Sequence, residues 1–485
     1  MRASQTLSPE VCPAAQGTRG GRATAPRLER KLSLSDATAL VVSNVIGVGI
    51  FTTPAVIAAL VPGPGSMLAL WLVGGILAFA GAVTYGELAK LCPRAGGEYN
   101  YLSHAFGPLA GFLSGWTSLI AGFSGAIAAC AVALVSYLGR YFPTQTSADP
   151  IGSFTLLTTT IGISRRSLFA AAVILLFAMI HMCGLGPGRL AQKILALLIL
   201  AALVVFIVAG FGFGRGSWLH FHAAGASFSP KDWLLALIPV MFTYSGWNAA
   251  AYVSEEVRSP RRNVGKALAL GTGIVLVLYL ALNALYIKAL SLREMSAAIN
   301  VGDIAAQRLL GVASGFITPV LVIALLGALS AMTIAGPRVY FAMARDKAFL
   351  APFSRVSPRF RTPALAIGLQ SAWSIILVLL GGFEQILIYT GFAIVLSSGA
   401  TVTALYVIRR RRGLRERSLR TIAVPGVFFL GCVLMVANAV YRAPKPSFIG
   451  LFVIAAGIPV FLFSRKRYAH SMMSPSIRAE AEVGE

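Results

Sequence analysis

Twelve apolar segments occupy most of this 485-residue chain, and they restrict its fold more than any other feature. Each meets or approaches the ~20 residues that an α-helix needs to cross the hydrocarbon core of a membrane. Inside that core the backbone must satisfy its own hydrogen bonds, as helices do. The sequence therefore predicts an all-α, polytopic membrane protein with twelve transmembrane helices. The segments are 37–60, 67–86, 109–138, 167–186, 190–212, 233–254, 267–287, 314–337, 363–382, 386–408, 422–441 and 447–463.

The composition supports this fold class. Hydrophobic residues make up 57% of the chain and charged residues 12%, whereas soluble proteins average about 25% charged residues. The two ends differ from the rest, because residues 1–33 and 466–485 hold few large apolar residues. Such segments cannot bury enough apolar surface to become ordered. We therefore expect a disordered tail at each end.

The net charge of +24 follows the pattern of a membrane protein and forms no patch for nucleic acid. With twelve spans and an inner N-terminus, the inner loops hold 21 Lys and Arg when Lys193 at the inner end of the fifth segment is included, the tails 10 and the outer loops 10. Cytoplasmic loops carry such an excess. We expect a multi-pass protein of the cell inner (cytoplasmic) membrane with both termini cytoplasmic. Retention on the inner side is sufficient to explain the basic loop 409–420, contact with anionic membrane lipid is the less favoured additional role, and no nucleic-acid partner is expected.

Two of the segments are weakened near the middle, where a spanning helix is normally regular. Gly47 and Gly49 stand among β-branched residues in the first, and Ser245-Gly246 lies at the matching depth of the sixth. Close helix packing explains a single pair of glycines. Two weak helices five spans apart favour instead an inverted repeat of two five-helix units, with the binding site at the breaks. The predicted units are the repeats 34–212 and 213–408, then a basic loop and two extra C-terminal helices at 409–465.

Four motifs resemble those of a known family. They are IGVGIFTTP at 46–54, PRAGGEYNYLSHAFGPLAGFLSGW at 93–116, FTYSGWNAAAYVSEEVRSPRRN at 242–263 and RVYFAMARD at 338–346. Their content and order resemble the amino acid–polyamine–organocation superfamily, in its L-amino-acid-transporter-like branch, over almost the whole chain. The resemblance implies a bacterial amino acid permease with ten of its twelve helices in the inverted repeat. It also implies a secondary transporter that moves amino acids by alternating access, without ATP.

The backbone at the two breaks is suited to a zwitterion. An interrupted helix leaves free N–H groups at the start of one half and free C=O groups at the end of the other, with partial charges of opposite sign. We assign the substrate carboxylate to the N–H groups of Val48 and Gly49. The substrate ammonium would bind the carbonyls of Val45, Ile46 and Phe242. No ionised side chain is needed, and the carboxylates considered lie near span ends: Asp36, Glu87, Asp232, Glu255 and Glu256.

The resemblance also implies a pocket for the substrate side chain. Phe242 corresponds to an aromatic residue that closes over the ligand, and Trp247 and Asn248 to residues that line the pocket. Val48 stands where the family often has a small polar residue, and Ser245 where it often has glycine, so the substrate's identity stays open. A cationic substrate would need a buried carboxylate partner, and we find none mid-span. We expect neutral amino acids; a polyamine or cationic amino acid is the alternative.

A charged cluster follows the sixth segment. Glu255 and Glu256 precede Arg258, Arg261 and Arg262. The cluster suits a cytoplasmic gate whose salt bridges break and form again during transport. A static cluster at the membrane interface explains the same residues equally well.

The coupling mode is predicted from the fifth and eighth segments. In several bacterial members of the resembled family, a lysine in the fifth helix takes the place of sodium. That position falls near Ile199 here, and Lys193 lies six residues earlier. Ser330 and Thr333 could bind sodium only if transport is sodium-coupled. We expect amino acid exchange, with proton- or sodium-coupled symport as the alternative.

Other functions fit the sequence less well. An enzyme would need nucleophiles, acids, bases or metal ligands that converge inside the bundle, and the spans hold no such set. A channel would need a pore lined by repeated selectivity groups, whereas paired broken helices favour alternating access. We expect neither enzymatic activity nor a cofactor or metal. Animal members of the branch pair with a single-span glycoprotein, the heavy chain, through a cysteine in the outer loop after the third helix. The corresponding loop here, residues 139–166, contains no cysteine. No disulfide-linked heavy chain is therefore expected.

Overall fold

The structure is a computed structural model. It describes residues 28–472 except for residues 140, 157–158, 223–227, 299, 381–382, 415–418 and 443. Helices dominate the described residues, and the elements of the first half of the chain are α1 Leu34–Val45, α2 Gly49–Ala58, α3 Pro64–Leu91, α4 Glu98–Phe106, α5 Pro108–Thr117, α6 Phe123–Leu138, β1 Pro150–Leu156, β2 Thr159–Ser164, α7 Arg165–Met182 and α8 Leu185–Gly212.

The second half of the chain also consists of long helices connected by short helices and loops. Its helices are α9 Pro230–Thr243, α10 Ala249–Tyr252, α11 Pro260–Ala289, α12 Leu292–Ser296, α13 Val301–Leu310, α14 Ile317–Ala335, α15 Pro337–Arg345, α16 Ala364–Leu380, α17 Phe383–Arg411, α18 Leu419–Arg442, α19 Pro444–Ala455 and α20 Gly457–Met472.

Several helices begin with residues that either accept hydrogen bonds from the free N–H groups of the first turn or, like proline, have no N–H group. At the start of α1, the Ser33 hydroxyl accepts from the N–H of Asp36 (3.2 Å), and the Asp36 carboxylate accepts from the N–H of Ser33 (2.9 Å). This reciprocal pair is a capping box. Pro64, Pro230 and Pro260 are the first residues of α3, α9 and α11, where a missing N–H has no consequence. Local sequence thus explains where these four helices start.

The predicted fold class is confirmed. Among the described residues, nine helices are long and apolar enough to cross a membrane, and α1 with α2 forms a tenth span bent by 43°. The ninth predicted segment is the shorter apolar helix α16, and the sixth comprises α9, a turn and α10. The helices follow the twelve predicted segments in order. The number of membrane crossings stays a prediction, because length and hydropathy identify nine or ten.

The structure adds detail at the ends and in one loop. The strands β1 and β2 form an antiparallel hairpin within the loop before α7, which the sequence analysis did not predict. Residues 28–33 of the predicted N-terminal tail are described, and Leu32 is buried in an isolated parallel bridge with Val257. The helix α20 continues into the predicted C-terminal tail. The predicted disorder of residues 1–27 and 473–485 lies outside the described residues.

The helices α3 and α11 approach each other most closely at a pair of glycines. A Cβ atom added to Gly86 would lie 2.8 Å from the Cα of Gly265, and one added to Gly265 would lie 3.2 Å from the Cα of Gly86. Small residues let the backbones of membrane helices come this near. In α11, a Cβ atom added to Gly271 would lie 2.6 Å from the side chain of Val41 in α1. These contacts place α1 and α3 on either side of α11.

We expect Gly86→Val to destabilise the bundle, because its branched side chain would overlap the backbone at Gly265. Overpacking of this kind costs about 1–3 kcal/mol. The melting temperature of the detergent-purified protein should fall, as measured by the unfolding of intrinsic fluorescence. Gly65→Val is the matched control, because a Cβ atom there meets nothing within 4 Å. Equal melting temperatures for Gly86→Val and the wild type would contradict this packing.

Candidate substrate-binding site

The first break separates α1 from α2. Ile46 leaves the helix in an extended conformation (φ −77°, ψ 96°), and no side chain caps the start of α2. Within the described residues, the N–H groups of Val48 and Gly49 have no acceptor, and no donor reaches the carbonyl of Ile46. A Cβ atom on Gly47 would meet nothing within 4 Å. The break therefore presents donors on one side and an acceptor on the other.

The second break separates α9 from α10. Gly246 lies in this turn with φ +100°, a conformation that L side chains rarely adopt. A Cβ atom there would also lie only 2.6 Å from the carbonyl oxygen of Asn44. Both the backbone angle and the close approach thus require glycine at this position.

The two breaks lie against each other. The Asn44 side chain donates to the carbonyl of Gly246 (3.5 Å), and the Thr243 hydroxyl donates to that of Thr53 (2.9 Å). The Tyr279 hydroxyl of α11 lies 2.9 Å from the carbonyl of Val45 and 3.4 Å from that of Thr243. One phenol therefore contacts both interrupted helices.

A cavity of about 120 Å³ lies beside the breaks. Four of the predicted site residues line it: Phe242, Ser245, Trp247 and Asn248. From the first break the cavity reaches Asn44. The other predicted residues of that break lie outside its lining in the described structure: Val45, Ile46, Gly47, Val48 and Gly49. The remaining lining residues are Glu98, Ser114, Thr117, Ser118, Gly122, Phe123, Ala126, Gly246, Tyr252, Met332, Ile394, Ser397 and Ser398.

Two of the three carbonyls predicted to bind the ammonium already accept a hydrogen bond. The carbonyl of Val45 accepts from Tyr279, and that of Phe242 accepts from the N–H of Ser245 (2.9 Å). A carbonyl oxygen has two lone pairs, so that of Val45 retains one acceptor site, whereas that of Phe242 also accepts from the N–H of Tyr244. Ile46 has the carbonyl with no described donor.

The predicted pocket residues are held in different ways. Phe242 is half-buried and faces the cavity. Trp247 is buried, and its ring centroid lies 4.7 Å from that of Tyr85 and 5.6 Å from that of Phe428. The Trp247 ring also fills the space beside Gly81, where a Cβ atom would lie 2.7 Å from it. Trp247 thus both lines the cavity and anchors the second break to α3 and α18.

The sequence analysis missed Glu98, which lines the cavity. Its Oε1 atom accepts hydrogen bonds from the Tyr85 hydroxyl (2.7 Å), the Ser398 hydroxyl (3.1 Å) and the Asn248 amide (3.2 Å). Burial raises the pKa of Glu98 above its ordinary value, although the hydrogen bonds from these three donors and from Ser114 oppose the shift. Glu98 lies in the connecting helix α4, outside the predicted spans. The search for carboxylates in the middle of spans therefore could not locate it.

The local sequence explains how Glu98 reaches the cavity. Gly96 and Gly97 precede it with φ +105° and +49°, angles that glycine adopts without strain. A Cβ on Gly97 would lie 2.5 Å from the ring of Tyr252. The paired glycines of the AGGEY sequence therefore turn the chain beside the second break, and they are the signal that could have located this side chain.

One wall of the cavity contains an interrupted helix of another kind. Residues Ser118–Gly122, between α5 and α6, form a π-helical turn, and such turns are frequent at functional sites. Its carbonyls have outside donors: Tyr340 donates to the carbonyl of Ser118 (3.2 Å) and Trp373 to that of Ile120 (2.9 Å). The wider turn is thus stabilised from α15 and α16.

The residues considered for ion coupling are occupied by protein contacts. Ser330 lies 3.0 Å from Nε2 of His181, and the Thr333 hydroxyl donates to the carbonyl of Leu329 (2.8 Å). Ile199 is buried, and Lys193 lies 3.4 Å from the Ser35 hydroxyl. The described residues contain no group of three or more His, Cys, Asp or Glu that could hold a metal ion.

The two gate glutamates find their partners on α15. Glu256 is fully buried and forms a bidentate ion pair with Arg338 (N–O distances of 2.7 and 2.9 Å). Glu255 pairs with Arg345 in the same way (2.8 Å for both bonds). The neighbouring arginines in the sequence are not their partners among the described residues. These pairs join the end of the sixth segment to the end of the eighth.

Interrupted membrane helices that meet beside an internal cavity are typical of secondary transporters. The family model for amino acid permeases matches residues 32–463. The chain therefore belongs to the amino acid permease family.

Three relatives extend this finding. The chain is 28% identical over 454 residues to the serine/threonine exchanger SteT of Bacillus subtilis (strain 168), covering 91% of this chain and 98% of the relative. It is 26% identical over 460 residues to the large neutral amino acids transporter small subunit 2 of Mus musculus, covering 93% and 84%. It is 26% identical over 446 residues to the b(0,+)-type amino acid transporter 1 of Mus musculus, covering 90% and 88%.

These findings confirm the predicted class of function. The chain is a multi-pass membrane protein and an amino acid transporter, and its family and relatives are transporters rather than enzymes. The resemblance noted in the sequence is confirmed by the family match.

We expect Glu256→Gln to destabilise the protein more than Glu255→Gln. Removing one partner of a buried ion pair costs about 3–5 kcal/mol, because the other charge stays buried. The Glu255–Arg345 pair is partly exposed, with 30% of the Arg345 side chain accessible, so solvent screening makes its loss smaller. Thermal unfolding of both variants in detergent measures the difference. Equal losses, or a larger loss for Glu255→Gln, would contradict this ranking.

The stability that Glu255 contributes should depend on pH. Burial alone would raise its pKa, but the hydrogen-bonded Arg345 guanidinium outweighs burial and holds the pKa below its ordinary value. A lowered carboxyl pKa gives stability that is present above the unfolded pKa and lost as pH falls through the folded one. Melting temperatures of the wild type and Glu255→Gln should therefore converge below about pH 4.

Proposed function

We propose that the protein exchanges neutral amino acids across the cytoplasmic membrane by alternating access, with the substrate bound where the two helix breaks meet. The observation that carries this proposal is the contact between the breaks beside the cavity. Free backbone groups of both signs are tolerated in a membrane protein where they line a cavity. Transporters with inverted repeats bind their substrates at such breaks.

The polar ends of the substrate have partners at the first break. The carboxylate would accept from the N–H groups of Val48 and Gly49, which have no other acceptor in the described residues. The ammonium would donate to the carbonyl of Ile46, to the second lone pair of Val45 and, at the second break, to the carbonyl of Phe242. For the substrate to touch all of these groups, the cavity has to extend from Asn44 along the break, a change of shape that binding would drive.

The substrate side chain would lie in the present cavity. Hydroxyl groups contribute much of its polar lining, at Ser114, Thr117, Ser118, Ser245 and Ser397. Phe242 supplies an apolar surface. Two of the three relatives are named for neutral substrates, serine and threonine in one and large neutral amino acids in the other. This support is independent of the absence of carboxylates from the middle of the spans, which does not account for Glu98 in α4.

Exchange is supported by the state of the positions that proton or sodium coupling would use. Ile199 stands at the predicted position of a coupling lysine, and Ser330 and Thr333 each have protein partners. The relative SteT is named an exchanger. Sodium-coupled and proton-coupled symport remain the alternatives that the experiment below separates from exchange.

During alternating access, the two predicted repeats, residues 34–212 and 213–408, would move relative to each other. Both termini and the loop 409–420 would lie on the cytoplasmic side, facing anionic lipid. The ion pairs of Glu255 and Glu256 would form the cytoplasmic gate, with the exposed pair opening first. Because residues 139–166 contain no cysteine, the chain would act without a disulfide-linked heavy chain.

We expect the purified chain alone to exchange amino acids in proteoliposomes. Uptake of labelled serine, threonine, alanine or leucine should require an unlabelled neutral amino acid inside and should respond little to ionophores. Strong uptake into empty vesicles, driven only by a sodium or proton gradient, would refute exchange. Equal competition by arginine or putrescine would refute neutral selectivity, and a strict need for a second polypeptide would refute independent action.

The backbone site is tested by Gly49→Leu. The new side chain would begin 3.0 Å from the side chain of Thr243 and fill the space assigned to the substrate carboxylate. We expect binding of the transported amino acid to fall below detection by isothermal titration calorimetry. Gly65→Leu, at an open position of α3, serves as the control, and gel filtration checks that both variants are folded. Wild-type affinity in folded Gly49→Leu would rule out this site.

A further inference from the structure

We propose that Glu98 is a proton-binding site linked to the substrate site, so that the protein binds a neutral amino acid with Glu98 in its neutral, protonated form. This inference rests on the proposed function, because it assigns a role within the same cavity. No covalent step is involved: one proton from the surrounding water adds to the carboxylate and leaves again when the site reopens.

The position of Glu98 connects it to the substrate site. It lines the cavity together with Phe242 and Ser245. Its donor Asn248 belongs to the turn of the second break and also donates to the Tyr252 hydroxyl (3.0 Å). Any rearrangement of the break moves this amide and thereby changes a hydrogen bond that Glu98 receives.

The charge of an ionised Glu98 has no cationic partner in the described part of the chain. Its three described donors are neutral groups from three different elements: Tyr85 of α3, Asn248 of the break and Ser398 of α17. The titratable groups that face it from the elements around it are Tyr85, Tyr252 and Cys432. Phenols and thiols are uncharged near neutral pH, so none of them compensates a carboxylate.

Closing the cavity around a substrate makes the uncompensated charge of an ionised Glu98 more costly. A buried charge without a partner is costly, and a carboxylate commonly takes up a proton instead. Burial already raises the pKa of Glu98. A neutral substrate buries the carboxyl group further without bringing a compensating cation. Substrate binding and proton binding should therefore favour each other.

Three donors, Tyr85, Asn248 and Ser398, converge on one oxygen, Oε1. The Ser114 hydroxyl is a further hydrogen-bonding neighbour of the carboxyl group. We assign the proton to Oε2, the oxygen that those three donors do not use. Protonation at Oε2 turns that atom into a donor, which could then meet a hydroxyl of the cavity or of the substrate. The proton thus changes Glu98 from an acceptor into a group that both accepts and donates.

Proton linkage is compatible with exchange. Each amino acid that enters with a proton is followed by one that leaves with a proton, so balanced exchange moves no net charge through Glu98. The proton becomes visible in the pH dependence of affinity, even where a proton gradient drives no net uptake.

The test measures substrate affinity against pH for the full-length protein in detergent. Isothermal titration calorimetry with serine, or whichever amino acid the panel identifies, should show affinity falling about tenfold per pH unit above the pKa of Glu98 in the free protein. Titrations in two buffers of different ionisation enthalpy should show protons taken up on binding. In Glu98→Gln, both the pH dependence and the proton uptake should disappear.

Two further variants keep the test independent of folding. Ser398→Ala removes a donor to the carboxylate, which should raise the pKa of Glu98 and move the fall in affinity to higher pH. Glu87→Gln, which removes a carboxylate paired with Lys90 at the end of α3, should behave as the wild type. Thermal unfolding shows which variants are folded. The shift in Ser398→Ala remains measurable even if Glu98→Gln does not fold.

Each contrary outcome has a definite meaning. Wild-type affinity that is independent of pH, or a pH dependence that persists in Glu98→Gln, would overturn the inference. Selective loss of lysine or arginine binding in Glu98→Gln, without any pH effect on neutral substrates, would show that Glu98 pairs with a substrate cation instead. If the wild type bound no amino acid at any pH, the proposed function itself would fail.

Discussion

The candidate site depends on backbone groups that have lost their helical partners in the interior of a membrane protein. A free N–H or C=O in an apolar surrounding is costly, so both breaks need contacts that compensate them. Tyr279 supplies one such contact by bonding the carbonyls of Val45 and Thr243 from a third helix. The groups at residues 46–49 that remain unpaired are the ones best placed for a substrate. What stabilises the breaks therefore also determines which backbone atoms remain available.

The sequence was sufficient for features that local chemistry controls. Spanning length and hydropathy predicted the order of the helices, and glycine predicted both breaks, because Gly246 occupies a positive φ and approaches Asn44 at a distance that no Cβ permits. The family resemblance, rather than local chemistry, placed Trp247 and Asn248 in the pocket, and both line the cavity. The backbone argument at the first break included Val45 and Gly47, whereas the cavity reaches only Asn44 on that side in the described structure.

Features that depend on distant pairs could not be read in this way. Glu98 lies 150 residues from Asn248 and 300 from Ser398 in sequence, so its three donors become visible only once the helices are packed. Glu256 and its partner Arg338 are 82 residues apart. Charge proximity in the sequence favoured the arginines directly after Glu256, but a guanidinium must approach a carboxylate in a definite geometry to pair with it. Helix packing, rather than spacing along the chain, decides that geometry.

Glu98 and Glu256 show how one residue type can serve opposite purposes in the same bundle. Glu256 is fully buried against the guanidinium of Arg338, which also donates to the carbonyl of Ile334 (2.7 Å), so its charge is compensated and its position is defined. Glu98 receives hydrogen bonds from neutral groups only, and one of them comes from the turn of a broken helix. Its environment therefore changes whenever the break rearranges. A compensated carboxylate suits a joint between helices, whereas a carboxylate without a cation responds to what enters the cavity. This difference in surroundings is the reason that we propose Glu98, the carboxylate beside the break, as the group whose protonation is linked to substrate binding.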